Sequence, residues 1–291
     1  MNYKNITAII VTFRSEKVIF DCLKSIKDIK KIIIVDNSFD RKLKKKVLLK
    51  FPRVNFILSA KNLGYGTGNN VALKKVKTKY AIILNPDTIL FRGCIANLLI
   101  LAKNLKNKFS IIAPSINGHI KNYGFFTSGK VKKQIVKKTA YFNVDYVKGF
   151  AMFLNIQKIK SIGYFDENFF MYLEEIDLCK RLKEINEKII VSLDAKSKHL
   201  GAKSSNIGIE FEINRNWHWM WSKMYFASKY NGFFESRIVA VPELIKLIIK
   251  NLFYFVFFNR SKLLVANARM CGLLASFFKL KSYFRTKLDA K

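Results

Sequence analysis

The sequence predicts an α/β fold, with a parallel sheet covered by helices on both faces and a helical extension at the C-terminus. Three observations carry this. Short apolar runs rich in isoleucine and valine recur through the first half, at residues 6–13, 31–35, 54–58 and 80–84. Stretches whose apolar residues return at helical spacing lie between them, and strands alternating with helices make parallel sheets. Each run also stops abruptly at polar residues, and ligands gather at the carboxyl ends of such strands.

Taken in order, residues 6–13 (ITAIIVTF) form the first buried strand. Ser15-Glu16 opens a helix whose apolar positions are Val18, Ile19, Cys22, Leu23 and Ile26. The second strand, 31–35, ends at Asp36-Asn37-Ser38, and a basic helix (41–50) and a third strand (54–58) follow. A glycine-rich loop, 62–70, runs into a helix at 71–76, and 80–84 is the fourth strand. Residues 92–105 read as a helix with Ile95, Leu98, Leu99 and Leu105 on its apolar face, and 109–114 as a strand. Residues 115–142 are polar, basic and without periodicity, an excursion over the site. Strand character returns at 144–154, where Gly149 marks a bulge or a close backbone approach. A helix over 174–184 buries Ile176, Leu178, Cys179 and Leu182, and 188–193 is the last strand.

The 291 residues are half hydrophobic and carry a formal net charge of +33. That charge suits anionic ligands: nucleic acid, a membrane surface or phosphate-bearing substrates. The lysines are spread along the chain without a nucleic-acid motif, so nucleic acid is not expected as a partner. The four cysteines form no CxxC pair, which speaks against a zinc site or a disulfide framework and for a reducing cytosol. The start, Met1-Asn2-Tyr3-Lys4-Asn5, leads directly into a strand and does not read as a signal peptide.

Four places carry candidate chemistry. Asp87 follows the fourth strand in Asn85-Pro86-Asp87-Thr88, where a carboxylate can hold a divalent cation against phosphate oxygens; the same four residues are also good turn chemistry. Asp36, past the second strand, can accept from a nucleotide's ring or ribose donor, or serve a turn or helix N-cap. Glu174 and Glu175 lie in the first turn of the 174–184 helix, with Asp177 following; acidic residues there also simply suit the helix dipole, but the apolar run Phe169-Phe170-Met171-Tyr172 beside them would desolvate them. Desolvation raises a carboxylate's pKa and improves it as a proton acceptor. Glu174 and Asp177 share a helix face and Glu175 points elsewhere, so different roles are expected. His199, in the segment 199–205, can sit beside the metal carboxylate as an imidazole ligand.

Together these segments resemble the inverting glycosyltransferases of family 2, closest to the bacterial rhamnosyltransferase and galactofuranosyltransferase-like branch. The resemblance runs from about Ile6 to Tyr230. It rests on Val11-Thr12-Phe13, Val35-Asp36-Asn37-Ser38, residues 62–70, 84–88, 163–182 and 199–205, and the run Asn216-Trp217-His218-Trp219-Met220-Trp221-Ser222-Lys223. It implies a GT-A fold, a Rossmann-like mixed sheet flanked by helices, with residues 1–230 as catalytic domain and 231–291 as a basic, apolar helical tail. It implies that Thr12 and Asp36 hold the nucleotide base, and that Asn62, Gly64 and Asn69 line the nucleotide and phosphate region. Asp87 would coordinate Mg²⁺ or Mn²⁺ with help from His199, because the family's Asp-x-Asp is here Asn85-Pro86-Asp87. The catalytic base falls at Glu175, where many relatives carry aspartate; Glu174 is the alternative, and Asp177 would support. The implied reaction moves a rhamnose-like or other hexose from a UDP- or dTDP-sugar to a hydroxyl of a glycan or lipid-linked acceptor. It would proceed with inversion, in cell-surface polysaccharide synthesis, in the cytoplasm or at the inner face of the membrane.

In the tail, residues 244–258 are apolar but interrupted by Lys246 and Lys250, too short to span a bilayer, and 261–280 form a second basic helix. Two readings stand: amphipathic helices on an anionic bilayer surface, or a helical lid or dimer contact. Rival functions are a nucleic-acid-binding protein, a sugar-nucleotide nucleotidyltransferase, or an inactive glycosyltransferase-like scaffold.

Overall fold

The computed structural model describes residues 3–116, 121–201 and 208–285. The ends of the tail and of the 199–205 segment (residues 202–205), the first two residues and the middle of the 115–142 excursion (117–120) lie outside the described residues. The chain divides into two compact units. The first comprises residues 1–60, 67–165 and 175–205, and the second 61–66, 166–174 and 206–291.

The first unit is built on β1 (Ile6–Thr12), β2 (Lys31–Asp36), β3 (Val54–Leu58) and β4 (Tyr80–Leu84). These pair in parallel in the order β3-β2-β1-β4. Between them run α1 (Glu16–Ser25), α2 (Arg41–Lys50) and α3 (Tyr65–Leu73). Every residue of β1 and β4 is buried, as both faces of a doubly covered parallel sheet must be. α1 buries Val18, Ile19, Cys22 and Leu23. α2 buries only Leu43 and Val47, and its N-terminus is held by the Asp40 carboxylate accepting from the Leu43 amide at 2.8 Å. A cap of this kind stabilises a helix by about 1 kcal/mol.

Past β4 the sheet becomes mixed. The elements in chain order are β5 (Thr88–Leu90), α4 (Cys94–Asn104), β6 (Ile111–Ile116), β7 (Tyr123–Gly124), β8 (Gln134–Val136), β9 (Thr139–Val144), β10 (Tyr146–Val147), β11 (Ala151–Asn155), α5 (Ile156–Ile162), α6 (Glu174–Glu184) and β12 (Ile189–His199). β11 inserts antiparallel between β4 and β6, β12 lies parallel to β6, and β9 and β8 close the far edge. The 115–142 excursion thus supplies strands as well as loop. β12 is longer than the apolar signal at 188–193 suggests. After an irregularity between Ser192 and Lys196 it continues to His199, pairing antiparallel with β5 so that His199 faces Thr88.

The helix after the glycine-rich segment also begins earlier than expected, at Tyr65 rather than residue 71. Gly66 and Gly68 are therefore helical, although glycine costs a helix about 1 kcal/mol relative to alanine. At Gly68 packing overrides propensity: an added Cβ would lie 2.9 Å from Val11 Cγ1, so the close approach of α3 to β1 requires the missing side chain.

The second unit centres on α7 (Ile209–Asn231), α8 (Phe233–Val256) and α9 (Arg260–Phe277). Trp217, Trp221, Phe169, Ala268 and Ala275 form one apolar cluster, and Met220, Met224, Ala240, Leu247 and Leu273 another. α9 lies against α7 so closely that a Cβ at Gly272 would fall 2.2 Å from the Trp217 carbonyl oxygen. The compact unit thus joins α7 to the 231–291 tail. His218, fully buried on α7, donates through Nε2 to the Phe284 carbonyl (3.0 Å) and accepts at Nδ1 from Ser282 Oγ (2.9 Å).

Burial, with the nearby Arg285 charge, lowers the His218 pKa to about 3. The unfolded chain, with an ordinary histidine near 6.5, then binds the extra proton first. The stability His218 contributes is present above pH 6.5 and lost as pH falls from there toward about 3. All three tryptophans, Trp217, Trp219 and Trp221, sit on α7, so their fluorescence reports on this unit. We expect thermal stability read at tryptophan to decline from pH 6.5 to 4, and the decline to flatten in His218→Asn. An unchanged slope in that variant would remove His218 as the cause.

Candidate active site

Asp36 ends β2 beside Thr12, its register partner at the end of β1. It is fully buried and its carboxylate is well occupied. Oδ1 accepts from Thr12 Oγ1 (2.8 Å) and Ser38 Oγ (2.9 Å), and Oδ2 from the Asp40 amide (2.7 Å). The N-cap of α2 is therefore Asp40, while Asp36 organises the turn leading to it. Three of a carboxylate's roughly four acceptor positions are filled, leaving one on Oδ2 for an incoming donor. Asn69 is fully buried on α3. In the second unit the Asn62 side chain accepts from the Gly64 amide at 3.0 Å. Gly64, at φ 78°, has the Phe170 carbonyl oxygen 2.1 Å from where a Cβ would stand. Glycine is required there by both conformation and space.

Asp87 and His199 come together. The Asn85-Pro86-Asp87 turn leads into β5, and the antiparallel pairing of β5 with the end of β12 delivers His199 to it. His199 Nε2 stands 3.2 Å from Asp87 Oδ1. The approach is not aligned as a hydrogen bond: both atoms are buried, and each lacks a hydrogen-bond partner among the described residues. Leaving buried polar atoms unsatisfied costs about 1–3 kcal/mol each. A carboxylate oxygen and an imidazole nitrogen, desolvated and convergent, are suitable donors for Mg²⁺ or Mn²⁺. No group of three or more acidic, histidine or cysteine side chains forms a cation cage among the described residues.

Glu175, in the first turn of α6, is half-buried. Burial pushes its pKa above the usual carboxylate value of 4.5, opposed by the amides of Glu175, Gly149 and Ile176 and by the charge of Lys148. The close approach signalled by Gly149 is thus made to this carboxylate. The next residue serves the other pair. The Phe150 carbonyl accepts from the Asn85 amide (2.9 Å) and from Thr88 Oγ1 (3.1 Å), and its ring stacks on His199 with centroids 4.4 Å apart. Lys148-Gly149-Phe150 therefore links the environment of Glu175 to the Asp87–His199 pair within one unit. Apart from Gly149, this link has no signal in the sequence.

Asp177 is fully buried and pairs with Arg181, whose Nε donates to Oδ2 at 2.9 Å. The same guanidinium donates to the carbonyls of Ile162, Gly163 and Tyr164. Asp177 is thereby tied to the strap entering the site. Removing one partner of such a buried pair costs about 3–5 kcal/mol. Glu174 is buried in the second unit, where its charge acts on the Tyr172 phenol. The aromatic run before α6 packs largely toward α7: Phe169 meets Trp221 and Tyr225 edge-on, and Phe170 packs on His218. α7 also grips the backbone and side chains of this stretch, with Ser222 Oγ donating to the Met171 carbonyl (2.8 Å) and Arg215 Nε to the Tyr172 hydroxyl (2.7 Å). Tyr172 and Leu173 take left-handed φ values of 72° and 69°, costly for non-glycine residues.

The glycosyl transferase family 2 model matches residues 7–163, more than half of the 291-residue chain, and the chain belongs to that family. The low-salt glycan biosynthesis hexosyltransferase Agl10 of Haloferax volcanii is 28% identical over 199 residues, 64% of this chain and 64% of its own. Rhamnosyltransferase WbbL of Escherichia coli is 29% identical over 175 residues, 52% of this chain and 66% of its own. The alignments thus span just under two thirds of each relative. The mannosyltransferase PcManGT of Pyrobaculum calidifontis, solved with GDP-Man and Mn²⁺, superposes with a TM-score of 0.58 at 10% identity, covering 94% of this chain and 87% of its own. The fold is GT-A.

Proposed function

We propose that this protein is a metal-dependent glycosyltransferase that moves a rhamnose-like or other hexose from a UDP- or dTDP-sugar to a hydroxyl of a glycan or lipid-linked glycan, with inversion. The setting is cell-surface polysaccharide synthesis at the cytoplasmic side of the membrane, with residues 1–230 catalytic and 231–291 a helical tail. The observation that carries the proposal is the 148–150 segment, which serves both a carboxylate of raised pKa and a desolvated Asp87–His199 pair. Hexosyl and rhamnosyl transfer by the relatives support the class of sugar.

In this reading Asp36 accepts from the ring N–H of the base with its remaining lone pair, and Thr12 fixes the carboxylate's orientation. Asn62, Gly64 and Asn69 line the nucleotide and phosphate region. Asp87 and His199 hold the cation, which when bound neutralises charge on the departing diphosphate. Glu175 accepts the acceptor hydroxyl's proton as that oxygen bonds to the anomeric carbon and the bond to the diphosphate breaks. A single displacement needs no covalent intermediate and inverts the centre. Glu174 is the alternative base, and Asp177 supports through Arg181.

Calorimetry with UDP, dTDP, GDP and ATP, with and without Mn²⁺, tests this. Binding of UDP or dTDP that requires Mn²⁺ is the expected result and narrows the donor to that nucleotide's sugars. A folded protein that binds none of the four with Mn²⁺ present would overturn the proposal.

A further inference from the structure

We propose that α8 docks in the plane of an anionic lipid bilayer surface through one continuous apolar face. Ile238, Ile245, Ile249, Leu252 and Val256 recur at spacings of seven, four, three and four, which aligns them along one side of a helix; all are exposed. The stripe ends at Phe258, 92% exposed at the turn into α9. The opposite side of α8 is already committed: Ala240 and Leu247 pack with Met220, Met224 and Leu273. An exposed face of this length is far beyond the scattered apolar residues of an ordinary surface.

The charge around the stripe identifies its occupant. Lys246 and Lys250 flank it, and Arg260 and Lys262 follow its end. From Leu244 to Arg285 the chain contains no aspartate or glutamate. Two acidic residues of α8, Glu235 and Glu243, precede this stretch, and Glu243 faces Lys223 at 3.9 Å. From Ile245 onward the charges beside the face are cations alone, which matches anionic headgroups above acyl chains, with the lysine stems reaching outward. A second copy fits poorly, since it would bring like charges together across the rim in a chain of net charge +33. No helix among the described residues is long and apolar enough to cross a membrane, so contact is in the plane. α9 takes no part by this reasoning. Its Ala268, Leu273 and Ala275 are spent on the packing of the second unit, so of the two tail helices only α8 presents an apolar stripe.

This inference stands apart from the sugar-transfer reading, because its readout needs no nucleotide. Full-length protein is floated with vesicles of phosphatidylcholine alone and of phosphatidylcholine with phosphatidylglycerol. The wild type is expected to float with the anionic vesicles. The double variant Ile245→Glu/Ile249→Glu is expected to lose association by about a hundredfold or more, with an unchanged circular dichroism spectrum because both positions are exposed. Equal flotation of variant and wild type, or equal flotation on both vesicle types, would overturn the proposal. So would a wild-type dimer that the variant converts to monomer without vesicle binding, which would assign the face to a second copy.

Discussion

Glu175→Gln is expected to lower transfer by about a hundredfold to ten-thousandfold, the usual contribution of a general base, while leaving Mn²⁺-dependent nucleotide binding unchanged. Glutamine keeps the size of the side chain and can still accept from the Gly149 amide, but it cannot take a proton. The variant is also expected to be more stable than the parent at neutral pH. A carboxyl whose folded pKa lies above its unfolded value favours the folded state when protonated. That contribution is complete below pH 4.5 and lost as pH rises through the raised folded value. Removing the ionisation removes the loss. The gain in melting temperature should therefore appear at neutral pH and vanish near pH 4, a pattern that an ordinary structural lesion does not produce. Transfer that survives in Glu175→Gln but disappears in Glu174→Gln would move the base to Glu174. Weakened donor binding in Glu175→Gln would sink the assignment altogether.

Asp87→Ala is expected to abolish the Mn²⁺-dependent part of nucleotide binding, about a hundredfold or more in affinity, because a bound cation contributes several kcal/mol at a diphosphate. Folding should not suffer. The backbone bond from the Leu200 amide to the Asp87 carbonyl (3.1 Å) survives the substitution, and of the two lost oxygens the buried Oδ1 makes no hydrogen bond among the described residues. Thermal melting without metal should match or exceed the parent. Calorimetric titration of UDP and dTDP with and without Mn²⁺, beside a melting curve, separates the outcomes. Metal-dependent binding that persists in Asp87→Ala would refute the role, and a collapsed melting curve would make Asp87 structural.

Much of this was legible from residues alone. The strands at 31–35, 54–58 and 80–84 and the helix at 41–50 fall almost where apolar periodicity puts them, because each is buried on the face its pattern marks. Other features resist such reading for identifiable reasons. The far half of β12 has no apolar run. Its alternation is of small or polar buried residues, Ala195 and Ser197, with exposed Lys196 and Lys198, so hydrophobicity does not reveal it. Yet that half brings His199 to Asp87. The early start of α3 runs against glycine's helix propensity and is decided by the space beneath Gly68. The aromatic run before α6, expected around the carboxylates, is drawn largely into the packing of α7.

The sequence by itself determined the α/β class, the candidates Asp36, Asp87 and His199, the acidic cluster Glu174, Glu175 and Asp177, and the amphipathic character of the tail, since these follow from local periodicity and from which residues end each strand or open each helix. The choice of Glu175 within the cluster rests on the family resemblance. Only the tertiary structure decided the 3.2 Å meeting of Asp87 and His199, the service of residues 148–150 to both that pair and Glu175, and the separation of α8, which keeps an exposed apolar face, from α9, which spends its own on α7. The physical reason is range. A period of two or of 3.6 residues is written in neighbouring side chains, whereas a contact between positions more than a hundred residues apart depends on strand order and register, which no local pattern encodes.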